Sequence, residues 1–173
     1  IYGATNNEYI ECKIEWSSVA DKENNKSTVT AALYYRRNNE YKTSGTGYFS
    51  ISIESDLHTF KAPSKYLSIG NDWVKAVEGT RTVEHFANGS KHVSIRVIKG
   101  YIPGTTFEST NCSGVANLDT IPRDSSITSA SNITLGNKCS VKWTPNHYAF
   151  SYKIKFSLGD WSHTTGYIEP KTT

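Results

Sequence analysis

The stretch that decides the fold runs from Ile10 to Arg37, "IECKIEWSSVADKENNKSTVTAALYYRR". Ile10, Cys12, Ile14 and Trp16 fall on one parity, with Glu11, Lys13 and Glu15 on the other. Val29, Ala31, Leu33 and Tyr35 repeat the pattern after the polar run "KENNKS". Successive side chains of a strand point to opposite faces, so period two reads as half-buried strands. The polar run between them has the composition of a turn.

The same alternation recurs outward from this stretch. Phe49, Ile51 and Ile53 form one set, and Val93, Ile95 and Val97 another. Cys139, Val141 and Trp143 follow late in the chain, then Phe150, Tyr152, Ile154 and Phe156. Turn signals divide the runs at "NNEYKTSGTG", "IGND", "ANGS" and "TPNH". No stretch carries helical periodicity. The chain therefore reads as all-β, a jelly-roll-like antiparallel β-sandwich followed by a small Ig-like β domain. The boundary falls at "LDTIPRDSS", giving a first domain at 1–122 and a second at 123–173. The second has room for about four or five strands, against about seven in an immunoglobulin sandwich. It is expected to be a small Ig-like domain or part of one.

Composition narrows the function classes. Charged residues are 20% and aromatics 12% of the 173 residues, too aromatic for a disordered chain. The formal charge of +3 and the lack of a basic block beyond Arg36-Arg37 argue against a nucleic-acid partner. No apolar run is long enough for membrane insertion, and the expectation is a chain without an export signal of its own. Three cysteines, Cys12, Cys112 and Cys139, lack zinc spacing and read as buried thiols. Cys12 and Cys112 could meet on neighbouring first and last strands, and whether they are bonded stays open. The sequons at Asn25, Asn88, Asn111 and Asn132 are discounted without an export signal.

Catalytic and metal chemistry find little footing. No Gly-x-Ser-x-Gly elbow is present, and the carboxylates are scattered instead of paired for glycoside cleavage. The expectation is no enzyme, no cofactor and no metal. The oxygen-rich "ADKENNKS" could suit calcium, but it reads better as a solvated turn. "VEHFANGSKHVSI", Val83–Ile95, holds His85 and His92 around Asn88-Gly89. A two-residue hairpin loop would pair His85 with His92, as a metal site needs. A three-residue loop with a left-handed Gly89 would pair Val83 with Val93, and this register is preferred. His85 is then a partly buried, hydrogen-bonded residue, and Phe86 is the exception to the pattern.

Strand parity also selects surface aromatics, which could stack on sugar rings while polar neighbours bond the hydroxyls. Tyr35 belongs inside with Leu33, and Tyr34 outside with Thr30 and Arg36. Phe49 belongs inside and Tyr48 outside. If strands 28–36 and 48–53 pair, Tyr34 and Tyr48 become near neighbours. Tyr41 sits near the loop tip, and Trp73 follows the Asn71-Asp72 turn on the face of Lys75. Tyr34, Arg36, Tyr41, Tyr48 and Trp73 are the candidate carbohydrate platform. Trp16, Trp143 and Trp161 read as core or inter-domain packing.

Three segments carry a family resemblance. "IEWSSVADKENNKSTVTAALYYRRNNEYKTSGTG" is similar to the opening of tail-associated minor structural proteins of siphoviruses, phages of Gram-positive bacteria. "VEHFANGSKHVSI" resembles their hairpin of the form His-Asn-x-Asp-Gly-Ser/Thr-Lys, with Phe86 in place of a polar residue and Asn88 in place of Asp. "LDTIPRDSSITSASNITLGNKCSVKWTPNHYAFSYKIKFSLGDWSHTTG" resembles their linker and second β domain. The resemblance implies a virion location in the phage tail and supplies no catalytic residues. Longer members continue with further β modules, so it implies an N-terminal portion. The function expected first is a non-catalytic adhesion module that contacts host cell-wall polysaccharide. The alternatives are a structural component assembling with other tail or baseplate proteins or as a homo-oligomer, and an accessory domain of a wall-degrading enzyme.

Overall fold

The computed structural model describes residues 1–122, 127–130, 141–143, 153–158 and 160–166. They form two compact units, residues 1–86 with 90–121 and residues 87–89 with 122–173. The first unit contains β1 (Tyr2–Thr5), β2 (Ile10–Asp21), β3 (Lys26–Arg37), β4 (Thr43–Ile53), β5 (Ser55–Ile69), β6 (Val74–Glu84), β7 (His92–Tyr101), β8 (Thr110–Asn111) and β9 (Ser113–Asn117). They make two antiparallel sheets, ordered β6-β3-β2-β1-β8 and β5-β4-β7-β9, in a β-sandwich. No helix occurs among the described residues.

The deciding stretch folds as a hairpin, paired from Ile10↔Arg37 to Asp21↔Lys26. Asn25 takes the left-handed conformation at its turn (φ 55°), which Asn tolerates better than most residues. The Asp21 carboxylate accepts bonds from the Asn24 backbone N (3.1 Å) and Nδ2 (2.7 Å). Those bonds hold Asp21 below the usual carboxylate range, so its charge serves the turn. The inward parity of both strands is the core. Cys12, Ile14, Val29, Leu33 and Tyr35 from this sheet meet Phe49, Ile51, Ile53, Val93 and Ile95 from the other, all at most 1% exposed. Trp16 is partly buried and packs on that core, as its parity required.

Two expected strand pairings are corrected. β3 pairs with β2 and β6, whereas β4 pairs with β5 and β7. Residues 38–42 carry the chain from one sheet to the other, so β3 and β4 face each other across the core. Tyr35 and Phe49 accordingly meet at 5.7 Å between ring centres, and Tyr34 and Tyr48 lie on the outer faces of different sheets. The second correction is the stretch around Asn88-Gly89. β6 and β7 also belong to different sheets, so neither expected register forms. Val83 and Val93 are both buried, but from opposing walls of the core. The turn is local: Phe86 N donates to Ser90 O (2.9 Å), and Gly89 is left-handed at φ 80°.

His85 is 6% exposed, with Nε2 2.7 Å from Ser27 Oγ of β3, so it is buried and hydrogen-bonded although the hairpin register that suggested this does not form. Asn25 Nδ2 donates to the His85 carbonyl (3.0 Å), so that sequon's amide is buried and engaged. His92 is exposed beside Phe86, ring centres 5.8 Å apart. Cys12 and Cys112 are free, buried thiols. They stand on either side of β1, where Gly3 pairs with Cys12 and a Cβ on Gly3 would lie 2.4 Å from Cys112 Cβ. The hydrogen bond between the two thiols, together with burial, pushes Cys12 up, and the same bond holds Cys112 below its ordinary value.

Glu54 ties the two sheets together. It occupies the tight β4–β5 corner at φ 75° and accepts from Arg81 of β6 (Nε 2.9 Å, Nη2 2.8 Å) and from Lys91 Nζ (2.6 Å). Burial opposes its ionisation, but the bonds from Lys91 and Arg81 outweigh burial and hold the carboxyl below its ordinary 4.5. Such a group stabilises the fold fully above its unfolded pKa, and the contribution is lost as pH falls through the folded value. Glu54→Gln is therefore expected to cost about 1–2 kcal/mol near neutrality. In urea titrations the gap between variant and wild type should close below pH 4.5. A gap that persists unchanged at lower pH would mean that the ion triad contributes nothing.

In the second unit, β10 (Ile127–Ala130) pairs antiparallel with β11 (Val141–Trp143), and β12 (Lys155–Leu158) with β13 (Trp161–Thr164). Thr165 N donates to the Ile154 carbonyl (3.0 Å) beyond the second pair. The expected packing of Trp143 and Trp161, and the readings of Cys139, Phe150, Tyr152 and Asn132, lie outside the described residues or side chains.

Candidate functional site

Three of the five platform residues come together on the outer face of the first sheet. The register aligns Lys13, Tyr34 and Lys75 in one row across β2, β3 and β6. The next row is Glu15, Ala32 and Glu78. Glu11 and Arg36 form the row on the other side, and Trp73 lies just before β6 beside Arg36. Lys13 Nζ is 4.4 Å and the Arg36 guanidinium carbon 4.7 Å from the Trp73 ring centre, with Lys13 also 5.7 Å from Tyr34. Cations attracted to the ring quadrupole hold the half-buried indole in place.

Each charge in these three rows is matched. Arg36 Nε bonds Glu11 (2.7 Å), Lys13 bonds Glu15 (2.6 Å) and Lys75 bonds Glu78 (2.8 Å). The bond to Glu78 raises Lys75 above its ordinary value. Ala32 has too small a side chain to fill its place between the two carboxylates. A notch of about 260 Å³ results, lined by Glu15, Trp16, Ser17, Thr30, Ala32, Tyr34 and Glu78. It brings Tyr34, two hydroxyls and two carboxylates together on rigid strands, with no net field. Glu15, Ala32 and Glu78 were not singled out from the sequence. Their parity was readable, but placing them in one row requires the β2–β3–β6 register.

The other two platform residues lie elsewhere. Tyr41 is 66% exposed in the crossover between the sheets. Tyr48 is on the outer face of the second sheet, its ring 5.5 Å from Tyr101 on β7. Among the described residues no three His, Cys, Asp or Glu side chains gather as metal ligands, and no helix is long and apolar enough to cross a membrane.

A family model for a siphovirus protein of unknown function matches residues 5–172. The chain belongs to that siphovirus family. The match spans all three segments that carried the resemblance, so they are parts of one family pattern. No curated protein and no solved structure matches the chain. The family-marking stretch at Val83–Ile95 contributes a sheet-to-sheet crossover with a buried histidine, and the notch is formed by β2, β3 and β6.

Proposed function

We infer that this siphovirus protein is a non-catalytic virion module of the tail or baseplate that binds host-surface glycan on the outer face of its first sheet. The observation carrying this reading is the Tyr34–Trp73 aromatic edge, held by Lys13 and Arg36, beside a notch of about 260 Å³ lined by hydroxyls and carboxylates. Sugar rings present apolar faces that stack on such aromatics, and their hydroxyls donate to carboxylates and exchange bonds with Ser and Thr. The matched charges favour a neutral glycan, because no field draws an ionic one. Glu15 and Glu78 act as hydroxyl acceptors, each held by a lysine.

Binding to purified host wall polysaccharide, followed by calorimetry, tests the reading. Tyr34→Ala and Trp73→Ala are each expected to weaken binding about tenfold, the scale of one aromatic stacking contact. Tyr41→Ala, remote in the crossover, should leave it unchanged. Wild-type affinity in both aromatic variants would remove the site. Release of oligosaccharide during the incubation would overturn the non-catalytic part.

A further inference from the structure

The outer face of the second sheet holds a different site. A groove of about 640 Å³ runs across β5, β4 and β7. The register places Lys61, Ser50 and Lys99 in one row on its floor, from three neighbouring strands. Ser50 is 2% exposed, yet its Oγ has no hydrogen-bond partner. Leaving a buried hydroxyl unpaired is costly, and natural folds rarely tolerate it without a purpose. The two lysines are exposed, and neither ammonium has a hydrogen bond or ion pair among the described residues. The other cation in the groove, Arg96, is spent on Asp56, with Nε 2.8 Å from Oδ1. The unmatched charge therefore lies on the two lysines that bracket Ser50.

We propose that this groove binds a phosphate ester carried on a sugar or polyol, with Lys61, Ser50 and Lys99 holding the phosphate. Adjacent strands stand about 4.8 Å apart, so the two lysine backbones are about 10 Å apart across the serine. Their flexible stems bring both ammonium groups over the serine hydroxyl. Three donors from three strands suit a tetrahedral oxyanion, which offers an acceptor oxygen to each, better than a two-oxygen carboxylate. Leu57, 93% exposed, and Ile98, 38% exposed, give the groove apolar walls for the carbon part of the ester. The site is on the other sheet from the notch and carries unmatched positive charge where the notch's charges are paired, so it does not depend on the neutral-glycan reading.

Calorimetry with sn-glycerol 3-phosphate, glycerol, inorganic phosphate and a short single-stranded oligonucleotide tests the assignment on the whole chain. Glycerol 3-phosphate should bind, glycerol should not, and added salt should weaken the complex. Lys61→Gln and Lys99→Gln should each weaken it at least tenfold, and together abolish it. Ser50→Ala should weaken it about threefold while melting no lower than wild type, because it removes an unpaired buried hydroxyl. Tyr34→Ala and Trp73→Ala should bind the ester normally, and the lysine variants should bind neutral glycan normally, so the two sites fail separately. Absence of binding, or full binding by the folded double lysine variant, overturns the proposal. Inorganic phosphate binding as tightly as the ester removes the polyol from it. Tighter, lysine-dependent binding of the oligonucleotide replaces it with a nucleic-acid site.

Discussion

Phe107→Ala is expected to lower the stability of the sandwich by about 3–5 kcal/mol, read as a fall in the urea midpoint at constant slope. Phe107 is fully buried although it lies in the connection between β7 and β8. Its ring meets Tyr35 edge-on, centres 5.0 Å apart. The loop that delivers it is closed by its own bonds. Ile102 N donates to the Phe107 carbonyl (2.9 Å), and Thr105 Oγ1 both donates to the Ile102 carbonyl (2.8 Å) and accepts from Phe107 N (3.1 Å). Tyr35 beneath it is fixed as well, its hydroxyl 2.9 Å from Thr110 Oγ1, which donates to the Gly100 carbonyl (2.7 Å). A site braced on both sides relaxes little when a ring is removed, so the cavity remains and the cost lies at the high end. A loss under about 1 kcal/mol would show instead that the loop collapses into the space.

Gly79→Val should be nearly as damaging, by overpacking. Gly79 sits on the inner face of β6, and Phe60 of the opposite sheet lies directly on it. A Cβ there would be 2.1 Å from Phe60 Cγ and 2.7 Å from Phe60 Cβ. Those atoms are the root of the side chain, so a rotamer change cannot clear them, and the sheets must part or β6 must shift. Overpacking of this kind costs about 1–3 kcal/mol for a methyl-sized excess, and valine belongs at or above the upper end. A double-mutant cycle makes the cause explicit: Phe60→Leu should destabilise alone, yet recover part of the loss when combined with Gly79→Val. Strict additivity would place the damage elsewhere.

The site's legibility differed from residue to residue. Tyr34 outside and Tyr35 inside followed from parity alone, and so did Tyr48 against Phe49. Arg36 and Trp73 were named, and they do meet. Their neighbours Glu15, Ala32 and Glu78 escaped notice because a row across three strands is a tertiary fact. Lys61, Ser50 and Lys99 were hidden for the same reason, lying more than ten residues apart in sequence. The length of β4 was concealed too. The apparent loop "NNEYKTSGTG" ends in strand from Thr43 onward, where Gly47 leaves room for the Phe49 ring and a Cβ would come within 2.6 Å of it.

Alternation determined the all-β class and the side of each strand that is buried. These are local properties: the pleat sends consecutive side chains to opposite faces, and the apolar parity must leave water. The three quoted segments likewise sufficed to identify the siphovirus family. Only the tertiary structure decided which strands pair. The short connections after β3 and around Asn88-Gly89 read as turns, and a turn is compatible with pairing its flanking strands or with sending them to opposite sheets. Burial of both inward faces chose the second. Tyr35 and Phe49 cover each other across the core only if the chain crosses over. That choice rests on contacts distant in sequence, and it placed Tyr34 and Tyr48 on opposite outer faces of the sandwich.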